Sequence, residues 1–589
     1  MSKPANRRQL DTLLQQAVAL HENGALADAE ELYREILSQR PRHFDALQLL
    51  AALALQAGRI DEGAELLKKA LSIDGTQAPI HSNLAFALNA LGQHDAALSS
   101  ANRAIALKAG FPDALNNRGM ALAALARPAD ALTSFEKALA AKRDFPEAWN
   151  NRGCALRDLG QPADALASCD QAIALRPEYA EAWSNRGNAL SDLNRPSDAQ
   201  ASYERALAVS DRLADTWNNL ALTFADQSRH DDALTCYERA LAIAPDAPET
   251  RWNRSLCLLQ MGQLETGWAE YEWRWKRRRI EATKRVFDAP LWLGETSLEG
   301  KTILLHAEQG LGDTLQFCRY AASVAQLGAR VILEVQPELM RLLTRLEGIA
   351  QLVEAGHPLP HFDCHCPLLS LPLALRTNLA TIPAGTPYLF ANAEDSEHFA
   401  VCINRIEGNA QTGDARPLRV GLVWAGGARP HVPELRKNDA RRSLAFAQIA
   451  PIVEVPGVQF FSLQKGLPAV QLAAACETHE ASRRVIDWTN ELNDFADTAA
   501  LVDNLDLVIA VDTSTAHLAG AMNKPVWVLN RLDTCWRWML EREDSPWYPS
   551  VRLFRQRTLG DWTSVIDAVA RALAERVVSQ TGSKSPRAA

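Results

Sequence analysis

Along the first half of the chain the apolar positions recur at helical spacing, and the whole pattern repeats every 34 residues. The segment Ala180-Glu-Ala-Trp-Ser-Asn-Arg-Gly-Asn-Ala-Leu190 echoes the one beginning at Pro146, Pro-Glu-Ala-Trp-Asn-Asn-Arg-Gly-Cys-Ala-Leu. Extended without a gap, the period starts at Leu10, Phe44, Ala78, Pro112, Pro146, Ala180, Ala214 and Pro248. Each repeat reads as two amphipathic helices joined by a short turn. Repeat position 4 holds Trp149, Trp183 and Trp217, and position 8 holds Gly119, Gly153 and Gly187. Position 20 is always Ala or Gly, and position 27 is Ala from Ala70 to Ala240. Small residues at 8, 20 and 27 let the two helices of a hairpin approach. Large residues at 4 and 24 fill the space between hairpins, and Pro41, Pro177 and Pro245 stop the second helix. Such hairpins bury their apolar faces only against neighbours, which predicts an α-solenoid with a concave groove over residues 10–281, after an arm at 1–9.

The period and these positions match the tetratricopeptide repeat, which the segment resembles, and that resemblance implies a groove for protein partners. Position 6 adds a row of asparagines on the helix that lines the groove: Asn83, Asn117, Asn151, Asn185, Asn219 and Asn253. Asparagine is a mediocre helix former, so propensity does not account for it. A side-chain amide offers an acceptor and two donors. It can pair with the backbone of an extended peptide, or bridge one repeat to the next. The row resembles the asparagine ladder of the eukaryotic O-GlcNAc transferase superhelix, itself a tetratricopeptide array fused to a glycosyltransferase. The last repeat ends in Gly267-Trp-Ala-Glu-Tyr-Glu-Trp-Arg-Trp275, with tryptophans on several faces of one helix, and then Lys276-Arg-Arg-Arg279. It reads as a joint to a second body, its basic run either a cap at a helix end or a binding element.

From Gly300 the period changes. Thr302–His306 and Arg330–Val335 are short apolar strands flanking a helical stretch, Thr314–Leu327, so a βαβ unit is expected. Further strands are expected at Leu418–Trp424, Val458–Leu463, Arg484–Asp487, Leu507–Val511 and Pro525–Leu529. The pattern predicts two Rossmann-like units at 300–395 and 416–578, the layout of a GT-B glycosyltransferase. Residues 282–299 and 396–415 read as linkers, and 579–589 as a disordered tail.

Two strand-to-helix turns could carry chemistry. In Gly310-Leu-Gly-Asp313 the glycines let backbone approach a ligand, and Asp313 is either a helix cap or a base for an acceptor hydroxyl. In Asp512-Thr-Ser-Thr-Ala-His517, hydroxyls and free N–H groups at a helix start could cradle a diphosphate, with Thr513, Ser514 and Thr515 in the first turn and His517 within reach. Between them, Gly426-Gly427 leads into a loop with Arg429, His431, Arg436, Lys437, Asn438, Arg441 and Arg442, cations suited to an anionic donor or to solvent. Lys465, after a strand end, is a further diphosphate candidate. Together the Gly-x-Gly-Asp and Asp-Thr-x-x-x-His-Leu-Ala motifs resemble the heptosyltransferase-like glycosyltransferases of family 9 over roughly residues 300–575. There the first aspartate is the proposed base, and the second motif binds the nucleotide diphosphate and sugar. Ser514 departs from the glycine usual in that family, and the first unit is short for it.

Composition narrows the partners. The net charge of −9 gives no overall footprint for nucleic acid. The N-terminus has no signal-like apolar run, and no stretch is long enough to span a membrane, so a cytoplasmic protein with reduced thiols is expected. His361-Phe-Asp-Cys-His-Cys366 is too tightly spaced for an ordinary zinc site and reads as strand alternation. Trp536, Trp538, Trp547 and Tyr548 read as packing. The expected activity is a metal-independent, inverting transfer from a nucleotide-sugar to a protein or peptide acceptor held by the repeats, with no cofactor. The alternatives are a lipid or polysaccharide acceptor, and a non-catalytic tetratricopeptide adaptor.

Overall fold

The computed structural model describes residues 7–277, 280, 284–409, 416–427 and 433–582. The chain forms two compact units, 1–223 and 224–589.

The first unit is an α-solenoid of helical hairpins. After Arg7–Glu22, the first helices start at Phe44, Ala78, Pro112, Pro146 and Ala180, and the second helices at Leu26, Ile60, His94, Pro128, Pro162 and Pro196, in the phase of the sequence period. The reason for the small positions is direct. A Cβ on Gly119 would lie 2.4 Å from the Phe135 ring, one on Gly187 2.5 Å from Tyr203, and one on Gly153 2.9 Å from Cys169 Sγ. Position 8 is thus small because position 24 packs onto it within the same hairpin, and not between hairpins as the sequence suggested. Each position-4 indole donates to the carbonyl six residues earlier, Trp149 to Arg143, Trp183 to Pro177 and Trp217 to Asp211. Arg152 and Arg186 reach within their own hairpins to the buried hydroxyls of Ser168 and Ser202.

The second unit departs from the expected boundary at residue 281. It contains the end of the helix Ala214–Asp226, the hairpin helices His230–Ile243, Pro248–Gln260 and Leu264–Tyr271, and the α/β half. The closing hairpin shares one core with the sheets: Leu259, Leu264, Trp268 and Tyr271 cluster with Ile303, Phe317, Trp536, Trp538 and Trp547. Trp268 meets Trp536 edge-on at 5.1 Å. Of the three tryptophans expected to be buried at the joint, only Trp268 is; the helix ends at Tyr271, and Trp273 and Trp275 lie on a 3₁₀ turn, half-buried beneath Lys276 and Arg274.

Two parallel sheets follow. The first has the order β3-β2-β1-β4, with β1 at Thr302–His306, β2 at Arg330–Val335, β3 at Gln351–Glu354 and β4 at Cys364–Pro367. In β4 the two cysteines are buried, as strand alternation requires, and His365 lies on the other face. The second sheet runs β10-β9-β8-β5-β6-β7, built from β5 (Leu418–Val423), β6 (Val458–Ser462), β7 (Val485–Asp487), β8 (Leu507–Val511), β9 (Val526–Asn530) and β10 (Val551–Arg555). Strand order reverses between β1 and β4 and between β5 and β8, and the crevices at the carboxyl ends of those pairs are where open parallel sheets take ligands.

Three local expectations change. The stretch Thr314–Leu327 is two helices, Leu311–Phe317 and Tyr320–Ala325, separated by a turn at Cys318 and the buried Arg319. The expected linker at 396–415 lies mostly within a helix, Ala393–Asn409, which buries Phe399 and Ile403 in the shared core; its charged exposed face hid that pattern. The expected tail is shortened, since the helix Trp562–Gly582 runs past Ser579. No helix among the described residues is long and apolar enough to cross a membrane.

Candidate functional site

The two motif loops, some 200 residues apart in sequence, meet. A Cβ on Gly312 would lie 3.1 Å from the His517 ring and 3.4 Å from Ser514 Cα, so only glycine lets the starts of Leu311–Phe317 and Ser514–Ala521 come this close. The second helix start stands at the carboxyl end of β8, at the reversal of strand order. Thr513 is its N-cap, with extended backbone and its hydroxyl turned back to the Val511 carbonyl at 3.2 Å. The first-turn N–H groups, Ser514 and Thr515 among them, are those a helix leaves without intrahelical partners.

Asp313 is at the N3 position of its helix. Its Oδ2 accepts from the Gly310 N–H at 2.9 Å, so Gly310 and not Asp313 is the N-cap, and Asp313 closes a capping box from the third helical position. Its Oδ1 is ion-paired to Arg537, a residue that sequence reading passed over within the aromatic cluster. Arg537 lies over the Trp536 ring at 4.1 Å and donates from Nε to Gln316 Oε1 at 2.8 Å and from Nη1 to Cys535 Sγ at 3.2 Å. Burial alone would lower its basicity; the Asp313 carboxylate outweighs this and holds the guanidinium protonated.

His517 is 4 % exposed and stacks on Trp538 with ring centres 5.2 Å apart. Its Nδ1 is 3.0 Å from the Tyr548 hydroxyl, and its Nε2 is 4.0 Å from Asp512 Oδ1. Burial pushes its pKa down to about 3 against the pull of Asp512, so the ring is neutral. With Tyr548 donating to Nδ1, Nε2 would carry the proton and offer it to a ligand. Burial would raise the Asp512 carboxyl, but the charges around it, Arg442 and Arg537 among them, hold it below its usual range. Behind these residues Arg319 ties the two sheets together, donating to Trp547 O at 2.8 Å and to Tyr388 Oη at 2.8 Å while lying over Tyr548 at 4.6 Å. The cluster Trp536, Trp538, Trp547 and Tyr548 is buried packing, as expected.

The cation loop divides. Arg442 packs against Gly426, where a Cβ would lie 2.5 Å from its Nε, and donates to the Asp512 carbonyl at 3.2 Å. It therefore joins the site between β5 and β8, and its buried Nε has no partner among the described residues. Gly427 borders open space. Arg441, expected to bind a donor, is held between Asp226 at 3.0 Å and Asp533 at 2.7 Å. Lys465, expected to bind diphosphate, spends its ammonium on the carbonyls of Thr489 and Leu492 at 2.7 and 2.8 Å, closing the loop after β7. Asn438 accepts from Arg531. Arg429 and His431 lie outside the described residues, as do the side chains of Arg436 and Lys437. Gln464, unremarkable in sequence, shapes the loop after β5 by bonding both N–H and C=O of Ala425.

At the other reversal of strand order, between β1 and β4, the last repeat supplies the occupant. Arg274 makes a two-bond pair with Glu308 (3.0 and 2.9 Å), and contacts Glu272 at 2.6 Å and Ser370 Oγ at 2.7 Å, all beneath the loop that leads to Gly310. Burial drives the Glu308 carboxyl upward in pKa against the pull of Arg274.

Four of the row's asparagines bridge repeats, mostly to side-chain amides and not to the neighbour's backbone. Asn117 donates to Ser82 O, Asn151 to Asn116 Oδ1, Asn185 to Asn150 Oδ1 and Asn219 to Asn188 Oδ1, at 2.9 to 3.0 Å, each reaching into the preceding repeat. One amide N–H of each is thus committed to the stack. Asn83 is exposed and Asn253 half-buried.

Two buried histidines give a pH dependence. Burial, with His365 and Arg285 nearby, lowers His306 to about 3, as burial lowers His517. An unfolded imidazole takes its proton below about pH 6.5, whereas these two stay neutral to about 3. The unfolded state therefore gains protons first, and stability should fall as pH drops from 6.5, by about 1.4 kcal/mol per unit for each histidine. Thermal midpoints between pH 4 and 7 should show this slope, and His306→Leu should reduce it; an unchanged slope would refute the neutral assignment.

Comparison with known proteins bears on the repeats. Tetratricopeptide-repeat family profiles match residues 20–85, 54–116, 146–179, 184–248 and 218–266. These hairpins are tetratricopeptide repeats. Protein FlbA of Caulobacter vibrioides is 26 % identical over 344 residues, a match covering 55 % of each chain, so this chain spans little more than half of that relative. Among solved structures, the hetero-tetramer Cut9–Hcn1 aligns with 20 % identity and a TM-score of 0.38 over 44 % of this chain and 50 % of that one. A tetratricopeptide protein from Parabacteroides merdae aligns with 18 % identity and 0.37 over 43 % and 99 %. YrrB, described as having an unusual peptide-binding site, aligns with 24 % identity and 0.26 over 32 % and 96 %.

Proposed function

We propose that the chain is an inverting, metal-independent GT-B glycosyltransferase that moves a sugar from a nucleotide-sugar to a hydroxyl of a polypeptide brought by the repeats. One observation carries the reading: the Gly310–Asp313 and Asp512–His517 turns meet at a strand-order reversal, with Arg442 and Arg537 beside them. The Ser514 helix start and Arg442 would hold the diphosphate, and neutral His517 a phosphate or sugar oxygen. Asp313 would take the acceptor hydroxyl's proton as its oxygen bonds to the anomeric carbon. The bond from that carbon to the terminal phosphate oxygen would break, and the nucleoside diphosphate would leave with the electron pair.

A thermal-shift screen of the full chain against UDP-, GDP-, ADP- and CMP-sugars tests the donor half of this reading. The matching donor should raise the transition by the amount set by RT ln(1 + [L]/Kd); no shift with any of them would sink the enzyme reading. The rival, a non-catalytic adaptor, is favoured by one observation, that both carboxylate oxygens of Asp313 already have partners.

The acceptor half is tested on the asparagine row. Asn185→Ala removes the donor to Asn150 and should cost about 0.5–1.5 kcal/mol of repeat stability. If the row also reads a peptide backbone, replacing Asn151, Asn185 and Asn219 with Ala should raise KM for a protein acceptor several-fold while leaving donor affinity unchanged. An unmoved KM would confine the row to bridging repeats.

A further inference from the structure

The ion pair between Asp313 and Arg537 joins two groups that the proposed reaction needs apart. Asp313 has no free carboxylate oxygen, since Gly310 N–H takes Oδ2 and Arg537 takes Oδ1. A hydroxyl proton would have to compete with the Arg537 guanidinium for Oδ1. Arg537, in turn, has Asp313 as its one charged hydrogen-bond partner among the described residues. Its other contacts are the neutral Gln316 carbonyl, a thiol, and the face of Trp536. Next to it the Gln316 amide nitrogen is fully buried and has no partner among the described residues, so a donor stands ready beside the guanidinium. Asp313 follows Gly312, where a Cβ would lie 3.1 Å from the His517 ring and 3.4 Å from Ser514 Cα, so the guanidinium paired to Asp313 lies near the Ser514 helix start. A planar guanidinium matches two oxygens of a phosphate better than one oxygen of a carboxylate that is also held by a backbone N–H.

We infer that Arg537 is a ligand of the donor's diphosphate and, until donor arrives, the lock on Asp313. The diphosphate draws the guanidinium from the carboxylate, so the base becomes available only once donor is bound. The consequence is a compulsory order, donor before acceptor deprotonation. It also opposes proton abstraction in an empty site. Arg537 thereby supplies a cation that the sequence suggested for Arg441 and Lys465, both of which are held elsewhere. This inference rests on the nucleotide-sugar reading above.

The test uses linkage between the two groups. Binding of UDP, GDP, ADP and CDP to the full chain is measured by titration calorimetry, for wild type, Arg537→Gln, Arg537→Lys, Asp313→Asn and the double variant Asp313→Asn/Arg537→Gln. Loss of a phosphate ligand should weaken the nucleoside diphosphate by about tenfold in Arg537→Gln, with partial recovery in Arg537→Lys and little change for the matching nucleoside. Removing the competing carboxylate should do the reverse, so Asp313→Asn should bind the diphosphate several-fold more tightly than wild type. The double variant, whose charge balance guards against misfolding, should match Arg537→Gln alone. Equal diphosphate affinity in wild type and Arg537→Gln, or no gain in Asp313→Asn, overturns the inference while leaving the enzyme reading intact. No nucleotide binding by wild type overturns both.

Discussion

Asp313→Asn should abolish most sugar transfer, lowering kcat by about 10²- to 10⁴-fold, the usual contribution of a positioned general base. The asparagine keeps an oxygen that can accept from Gly310 N–H, so the cap should survive, although the thermal transition should fall because the buried Arg537 guanidinium loses its carboxylate. What is lost is the ability to take a proton. KM for donor should not rise, and product diphosphate should bind more tightly, because Arg537 is released from its carboxylate. Steady-state transfer to a protein acceptor, with donor and acceptor varied separately, reads all three quantities. Near-full turnover in Asp313→Asn would remove Asp313 from the chemistry and return it to the role of a cap.

The largest effect on stability is expected at Glu308. Its carboxylate makes a two-bond pair with Arg274, and both side chains are almost wholly buried, at 6 % and 3 % exposure. Breaking such a pair from one side leaves the other charge in low dielectric. Glu308→Ala should therefore cost about 3 kcal/mol, near the lower end of the range for buried pairs, because Glu272 and Ser370 still contact Arg274. The apolar double replacement Arg274→Met/Glu308→Leu should recover much of the loss. Denaturant titration of the full chain, following tryptophan emission, would distinguish these. A cost under about 1 kcal/mol would show that water or rearrangement compensates the guanidinium.

How much of this could be read from the chain depends on how far apart the partners are. The hairpin phase was legible because each repeat carries its own reason: Gly119 and Gly187 are small because Phe135 and Tyr203 sit sixteen residues on, in the same hairpin. The strands at 302–306, 330–335, 418–423 and 507–511 were legible because buried parallel strands are short, unbroken apolar runs. Strands β3 and β10 are half-exposed or flanked by charge, and the first escaped notice for that reason; the second was hidden behind Arg552 and Arg555. The convergence of Gly312 on His517 was suggested only by family resemblance, since nothing local links two loops two hundred residues apart. Arg537 and Arg274 were missed for the opposite reason. Each lies in a tryptophan-rich stretch that reads as packing, and its carboxylate partner is distant in sequence, Asp313 for one and Glu308 for the other. Conversely, Arg441 and Lys465 looked free because their partners, Asp226, Asp533 and two loop carbonyls, are invisible to local pattern.

The closing hairpin lends Trp268 to the core of the α/β half and Arg274 to the crevice between β1 and β4. Repeat arrays commonly change length by gain or loss of whole units. Here that freedom stops before the last hairpin. A chain that gains a new final hairpin must also regain an indole and a guanidinium at these two points. In lineages carrying this architecture, variation in repeat number should therefore fall upstream of residue 224, and the last hairpin should change in step with the loops of the α/β half.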